Sequence, residues 1–406
     1  MPTVAVVHFP SGGHIRPILP LVAALNENGL RTVQWAQSEW QQQCLAAGGE
    51  FRALPDLADL AWPEPQPFHI AQFLAGLAER LAPWMCEQLA EARCDVVLRD
   101  SFAQYGHYAA LANGLDEYVI PAMMAFHRGV RPSARDAPSF AVSLLRGARQ
   151  ARNVRRISRR LQERYGQGLG SPLEVFAGRH GATTFALTVR SLQLRPKGLR
   201  GEDVRFIGPL RALGPGEGSS NGGDDDPALA GLGGERGVIY VSLGTVFEQR
   251  PEFFRMAAEA LSRLGRRVIL SIGRLPPESV QPLPHGVLAF SHVDQLAVLR
   301  RAGLFVSHGG FNSMQEGLAA GVPMVLCPQM FEQAINADMI VARGAGVRVR
   351  GDTAGALRAA AERVLRDVSY REAARRIAQE LREGNRMGEA VGLLSESAQR
   401  HAAASI

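Results

Sequence analysis

Residues 305–337 read FVSHGGFNSMQEGLAAGVPMVLCPQMFEQAINA, and this stretch decides the fold. It continues a short apolar strand, Leu304 to Val306, into the loop Ser307-His308-Gly309-Gly310. A helix-patterned run follows, Asn312 to Ala320, then Gly321-Val322-Pro323. A second strand, Met324 to Cys327, leads to Pro328 and the polar turn Glu332-Gln333. Strand, Gly-rich loop, helix and strand make a unit of a parallel α/β sheet. A Gly-rich turn that opens a helix turns backbone N–H groups and the positive end of the helix dipole outward, which suits a phosphate. Glycine lets the backbone approach a ligand closely. His308, Asn312 and Ser313 add side-chain donors at the same mouth, and Glu316 lies one helical turn deeper on the face of Asn312. A carboxylate one turn below a diphosphate stands about where a ribose would hang. Glu332 and Gln333 follow the next strand, on the edge where parallel sheets bind ligands.

The series SHGGFNSMQEGLAAGVP, then P, EQ and NA, resembles the donor-binding signature of nucleotide-sugar glycosyltransferases. The likeness is to the inverting, two-lobed GT-B type, among the macrolide-type enzymes and the UDP-glycosyltransferases. It implies an α/β fold of two doubly wound Rossmann-like domains facing across a cleft, with a C-terminal helix crossing back to the first domain. It implies an N-terminal acceptor domain at 1–212, a linker at 213–236, a nucleotide-sugar domain at 237–384 and the returning helix at 385–406. The co-substrate would be a UDP- or TDP-hexose, with no other cofactor and no metal. Earlier residues join the donor set by the same likeness: Gly13, then Ser242, Gly244 and Thr245 in a second strand-to-turn phosphate cradle. His292, Val293 and Gln295 stand where relatives carry an aromatic, a Val or Ala, and a Gln that touches the nucleoside. Here His292 replaces the usual Trp or Phe and Asp294 the usual Pro, which leaves uracil and thymine both open. Glu332 and Gln333 would hold sugar hydroxyls.

The N-terminal half reads independently as an α/β domain. Thr3 to Phe9 is a near-continuous apolar run, as a central parallel strand should be. Pro10-Ser11-Gly12-Gly13-His14-Ile15-Arg16-Pro17 follows, with Pro17 suited to the first turn of a helix and Gly29 to its end. GxGxxG is absent, which argues against a dinucleotide site. His14 sits at the tip of the Gly-rich turn, where a neutral imidazole can take a proton from a hydroxyl. Val96 to Leu98 is another buried strand, and Asp100 lies just past its end, on the same sheet edge. A carboxylate that accepts from a histidine Nδ1–H fixes the tautomer and stabilises the imidazolium. The resemblance places the catalytic base and its carboxylate at these two positions. The rival readings are a loop histidine bonded to backbone, and an Asp100 that caps the segment from Ser101. Asp95 precedes the strand and belongs at the opposite end.

Trp62, Phe68, Phe73 and Met85, between these points, and Phe126, at the start of a second variable region to Gly178, would line a hydrophobic acceptor site. Each on its own also fits a core.

Composition narrows the class. A chain of 406 residues can build two α/β domains, and 46% apolar with 21% charged residues marks it as globular. Cys44, Cys86, Cys94 and Cys327 show no CxxC and read as buried thiols of a reducing compartment. No apolar run reaches membrane-spanning length and no signal peptide opens the chain, so cytoplasm is the expectation. Lys197 is the sole lysine, which rules out a GK[ST] phosphate loop. Heavy use of Arg, Ala and Gly points to a high-GC bacterial source. The Gly- and Asp-rich linker contains Asp224-Asp225-Asp226; flanked by Gly-Gly and Pro, away from any strand end, this DxD pattern is assigned no metal. Net charge is +6, with Arg146, Arg149, Arg152, Arg155, Arg156, Arg159, Arg160 and Arg164 at a spacing that makes one basic helix face. No aromatic interleaves with it, so nucleic acid lacks a stacking platform. A solvated or salt-bridged face is the first reading, and an anionic or membrane-surface contact the second.

The expected activity is inverting transfer of a hexose to a hydroxyl of a hydrophobic small molecule, by analogy a bacterial secondary metabolite such as an antibiotic. The rivals are a sugar-nucleotide-binding accessory protein without catalysis, and an epimerase or hydrolase of the same fold. The accessory protein should have lost His14 or Asp100, and the epimerase needs a second carboxylate beside Asp100. A homodimer is left open.

Overall fold

The computed structural model describes every residue except 58–61, 65, 122, 125–132, 179–181, 194–198, 200–202, 211–236, 245–249, 352 and 405–406. The linker 213–236 with its Asp224-Asp225-Asp226 run, Thr245 and Phe126 therefore lie outside the described residues. The chain divides into two compact units, Met1–Arg211 with Gly384–Ile406, and Ala212–Glu383.

The first unit is built on a seven-stranded sheet. Its strands are β1 (Thr3–Val7), β2 (Arg31–Ala36), β3 (Glu50–Ala53), β4 (Val96–Asp100), β5 (Asp116–Ile120), β6 (Thr183–Ala186) and β7 (Val204–Phe206). Their order is β3-β2-β1-β4-β5-β6-β7, all parallel. Every residue of β1 and β4 is buried, because helices cover both faces. Alternation divides the two strands between two cores. Ala5, Val7 and Val97 meet Trp35, Tyr105 and helix Pro67–Ala92 on one face. Val4, Val6, Val96 and Leu98 meet Leu21, Phe185 and the final helix, Met387–Ala404, on the other. That helix is tied down by polar contacts as well. Ser397 Oγ donates to Asp116 Oδ2 at 2.6 Å, and the Tyr118 hydroxyl donates to the Leu393 carbonyl at 3.2 Å.

The second unit holds β8 (Val238–Ser242), β9 (Val268–Ser271), β10 (Val287–Phe290), β11 (Ala302–Ser307), β12 (Met324–Leu326) and β13 (Gly346–Arg348). Their order is β10-β9-β8-β11-β12-β13, again all parallel. Ile239, Val241, Leu304, Val306 and Phe254 centre its core.

In each sheet the chain reverses its direction of winding once. The reversal falls between β1 and β4 in the first unit and between β8 and β11 in the second. Loops leaving the carboxyl ends of such a strand pair turn to opposite faces and open a crevice. His14 and Asp100 stand at the ends of β1 and β4, Ser242 and His308 at the ends of β8 and β11, while Gln295 follows β10 and Glu332 follows β12.

One expected boundary moves. Pro17 does not open the first long helix; a four-residue turn spans Gly12–Ile15, and the helix runs from Leu19 to Glu27 with Pro20 in its first turn. The short turn lets Ser11 carbonyl accept from both His14 N and Ile15 N, which draws His14 back over the sheet edge.

Candidate functional site

In the first unit, β1 ends at Val7 and β4 at Asp100, and Val7 pairs with Arg99 in register. The turn after β1 therefore rises beside the end of β4. His14 Nδ1 lies 2.9 Å from Asp100 Oδ2. A carboxylate only accepts, so Nδ1 carries the proton and Nε2 is the lone-pair nitrogen. Asp100 is fully buried, while the His14 side chain keeps 16% of its surface. The other carboxylate oxygen, Oδ1, accepts from Phe102 N at 2.7 Å. Asp100 thus closes its own turn and orients the imidazole at once; the helix that follows, Gln104–Ala112, starts after Ala103. Asp95 sits at the far end of the strand, accepting from Thr3 N.

The carboxylate's turn is held from below. Arg99 is fully buried, and its Nη1 donates to the carbonyls of Asp100 and Ser101, each at 3.2 Å. Its Nε donates to Glu117 of β5, whose other oxygen meets His107 Nδ1 at 2.6 Å. His8, at the end of β1, is buried and bonded to Gln34. Burial pushes its pKa down to about 4, against the opposing pulls of Gln34 and Asp100, so it is neutral at pH 7 and structural.

An aromatic surface surrounds the exposed edge of His14. Phe9 and Phe102 flank the ring at centroid distances of 4.8 and 5.0 Å. Phe9 continues to Trp62 at 5.7 Å, and Trp62 to Phe73 at 5.6 Å. Trp62, 57% exposed, and Phe73 therefore stand where an apolar ligand would meet His14. Phe68 and Met85 do not. Met85 is wholly buried in the core, and the Phe68 ring packs against Gly147. Both sit on faces of helix Pro67–Ala92 that neighbouring helices cover. Phe9 and Phe102 were missed, since each reads as the apolar end of a strand.

In the second unit, β8 and β11 end side by side, Ser242 paired with Ser307. Each serine accepts from the glycine two residues on: Gly244 N to Ser242 Oγ at 3.4 Å, Gly309 N to Ser307 Oγ at 3.2 Å. Both glycines have positive φ, +79° and +83°, which L side chains avoid. His308 is buried between the two turns. A Cβ on Gly244 would stand 2.8 Å from its ring, and one on Gly310 2.3 Å. Burial pushes His308 down to about 4, offset in part by the Ser242 backbone, so a neutral imidazole faces the loops. Among the described residues its Nδ1 has no partner.

Helix Phe311–Ala319 starts directly at Gly310 and carries Asn312, Ser313 and Glu316. Gln295 gathers the last two: its Nε2 lies 2.5 Å from Glu316 Oε2 and 3.5 Å from Ser313 Oγ, while Tyr240 donates to its Oε1 at 3.1 Å. His292, two residues after β10, is exposed, and Val293 is buried. Asp294 has a local role. Its carboxylate accepts from Ala297 N at 3.1 Å and caps helix Gln295–Arg301.

Glu332 and Gln333 open helix Phe331–Ala342 and are both buried. Gln333 Oε1 accepts from Gln329 N at 2.8 Å. Burial raises the Glu332 pKa to about 7, against the lowering pull of Asn336. Asn336, one turn on and fully buried, donates to Glu332 and to the Gly309 carbonyl at 2.9 Å. It thereby links the carboxyl group to the Gly-rich loop. Asn336 belongs to the NA that closes the donor-binding resemblance, though no role was read for it, and nothing in the amino-acid pattern marked Tyr240.

The family model described as UDP-glucoronosyl and UDP-glucosyl transferase matches residues 228–382. Oleandomycin glycosyltransferase of Streptomyces antibioticus is 29% identical over 401 residues, 93% of this chain and 86% of that protein. An uncharacterized UDP-glucosyltransferase of Bacillus subtilis, YojK, is 25% identical over 94% of both chains. The crystal structure of the glycotransferase of kitacinnamycin superposes with a TM-score of 0.80 at 28% identity, covering 98% of this chain and 100% of its own. Two parallel doubly wound sheets and these likenesses agree: the chain is a glycosyltransferase of the GT-B fold, and its residues 228–382 are similar to the UDP-glucuronosyl and UDP-glucosyl transferases.

Proposed function

We propose that the protein transfers a hexose, with inversion, from a UDP- or TDP-sugar to a hydroxyl of a hydrophobic small molecule. The observation that carries this reading is the His14–Asp100 pair, 2.9 Å apart at the winding reversal of the first unit and ringed by aromatics. Nε2 of His14 removes the acceptor proton as the oxygen attacks the anomeric carbon, and Asp100 stabilises the imidazolium that forms. The leaving diphosphate gains negative charge. The start of helix Phe311–Ala319, which follows Gly310 directly, meets that charge with a preorganised dipole. It acts without a metal ion in this proposal. Gln295 and Glu316 hold the nucleoside, with His292 stacking the base; Glu332 and Gln333 hold sugar hydroxyls. The acceptor class rests on Trp62 and Phe73 and on the likeness to oleandomycin glycosyltransferase.

Thermal unfolding with UDP, TDP, GDP, their glucose forms, NAD and ATP, in EDTA, tests the donor half. A ligand at a hundred times its dissociation constant adds about 2.7 kcal/mol. A selective rise with UDP or TDP is expected. No response to either pyrimidine diphosphate overturns the donor assignment.

A further inference from the structure

We propose that the arginine face of helix Ala148–Tyr165, with the leucines of the helix before it, docks the protein peripherally on an anionic lipid surface. Residues 146–164 contain eight arginines and a single acid, Glu163, a net +7. The whole chain carries +6, so everything outside this segment is net −1. The protein's positive charge is therefore the charge of one helix face.

That face is turned to solvent by its own packing. Val154, Ile157 and Leu161 are buried in the core of the first unit, and all eight arginines are exposed. Among the described residues, the one ion pair they make is Arg160 with Glu79. A helix face kept merely for solubility mixes both signs; this one does not. Guanidinium groups are weakly hydrated and bind phosphate in a bidentate manner, which suits lipid headgroups. Beside them, on helix Ala137–Arg146, Val142, Leu144 and Leu145 are 45, 42 and 80% exposed. Bare leucine next to a dense cation field matches an interface where apolar side chains enter the acyl boundary and arginines meet phosphates. Nucleic acid is the lesser fit, because no aromatic projects from the face to stack a base. The docking stands on these residues alone and does not depend on which sugar or acceptor the enzyme uses.

Co-sedimentation of the full chain with phosphatidylcholine vesicles, with and without phosphatidylglycerol, tests it. Binding should be at least ~10-fold stronger to the anionic vesicles and should vanish at high salt. Arg152→Glu, Arg155→Glu, Arg156→Glu and Arg159→Glu together should abolish it. The matching set of glutamines, at about 1 kcal/mol for each charge removed, should weaken it about 10³-fold, and serves if the charge reversal misfolds. Leu145→Ser should weaken binding yet keep its salt dependence. Equal binding to both vesicle types, no binding, or binding unchanged by the arginine variants overturns the proposal. So does duplex DNA that displaces the protein from anionic vesicles at equal charge concentration.

Discussion

The two units share a topology and diverge in what they place at the same point of it. In both, the chain reverses its winding between two central parallel strands, and functional residues crowd the carboxyl ends of that pair. In the second unit those ends are nearly all backbone: two Ser-x-Gly turns in register, a helix N-terminus, and a neutral His308 packed between glycines. In the first they are all side chain: His14, the carboxylate of Asp100, and aromatic rings. Backbone N–H groups suit a ligand that is always an anion. A movable proton needs a titratable side chain with a fixed partner. One topology thus carries Gly-rich turns around a neutral histidine at one pair of strand ends and a His–Asp pair at the other.

The largest expected effect separates the two directly. His14→Ala should lower kcat by about 10³-fold, within the range of a lost general base, while UDP or TDP still raises the unfolding temperature as in the wild type. Asp100→Asn should follow it with a smaller loss. A His14→Ala enzyme that turns over normally on a hydroxyl acceptor would remove proton transfer from the first unit and end the contrast.

The reverse experiment belongs to the second unit. Gly310→Ala places a methyl 2.3 Å from His308 Nε2, so the imidazole must leave its seat. Nucleotide affinity should fall about 10- to 100-fold, a loss of the order expected for one displaced polar contact in a binding site. In a His308→Ala background the same glycine change should cost little more, because the two act through one contact. Additive losses would mean that Gly310 matters for some reason other than His308.

Much of this was legible in the amino-acid pattern, and the failures have a common cause. Strand ends were readable because continuous apolar runs such as Thr3 to Phe9 stop at Gly- or Pro-containing turns, and chemistry in parallel sheets gathers at those stops. His14 and Asp100 followed from that rule and from the family likeness. What could not be read was which side of an element faces inward. Helix Pro67–Ala92 carries apolar residues on much of its surface, so Met85 and Phe73 looked alike; neighbouring helices bury one and leave the other near Trp62. Tyr240 and Arg99 reach Gln295 and Glu117 on other elements, and no local spacing announces a contact made across a sheet.

Arg99 gives the third test, of intermediate size. Its guanidinium holds the carbonyls of the turn that aims Asp100. Arg99→Met keeps the stem and removes the donors; kcat should drop about tenfold, the worth of a charge-assisted hydrogen bond or so, with donor affinity unchanged. The downfield proton resonance of the His14 Nδ1–H should weaken in this variant and vanish in Asp100→Asn. A resonance untouched in Arg99→Met, with kcat and donor affinity falling together, would make Arg99 a general support of the unit.

The smallest effect bears on a buried carboxyl group of the second unit. Burial raises the Glu332 carboxyl from 4.5 to about 7. The folded state therefore binds this proton more tightly than the unfolded chain. Below pH 4.5 both states are protonated and the group contributes nothing to pH dependence. As pH rises from 4.5 to 7 the unfolded chain releases the proton first, so stability falls, and above 7 the penalty is complete. Glu332→Gln removes the ionisation. The variant and wild type should melt together below pH 4.5, and at pH 8 the variant should melt higher by about 2–4 °C, the equivalent of ~1 kcal/mol. The full shift would allow ~3 kcal/mol, and relaxation of the pocket takes up the rest. The same change should weaken a nucleotide sugar but leave the bare nucleotide diphosphate bound as before, since in the proposed complex the carboxyl group meets the sugar alone. If the bare diphosphate is weakened equally, Glu332 acts through Asn336 on the Gly309 carbonyl. The second unit's anion cradle would then depend on a side chain after all, and its contrast with the first would narrow to one of degree.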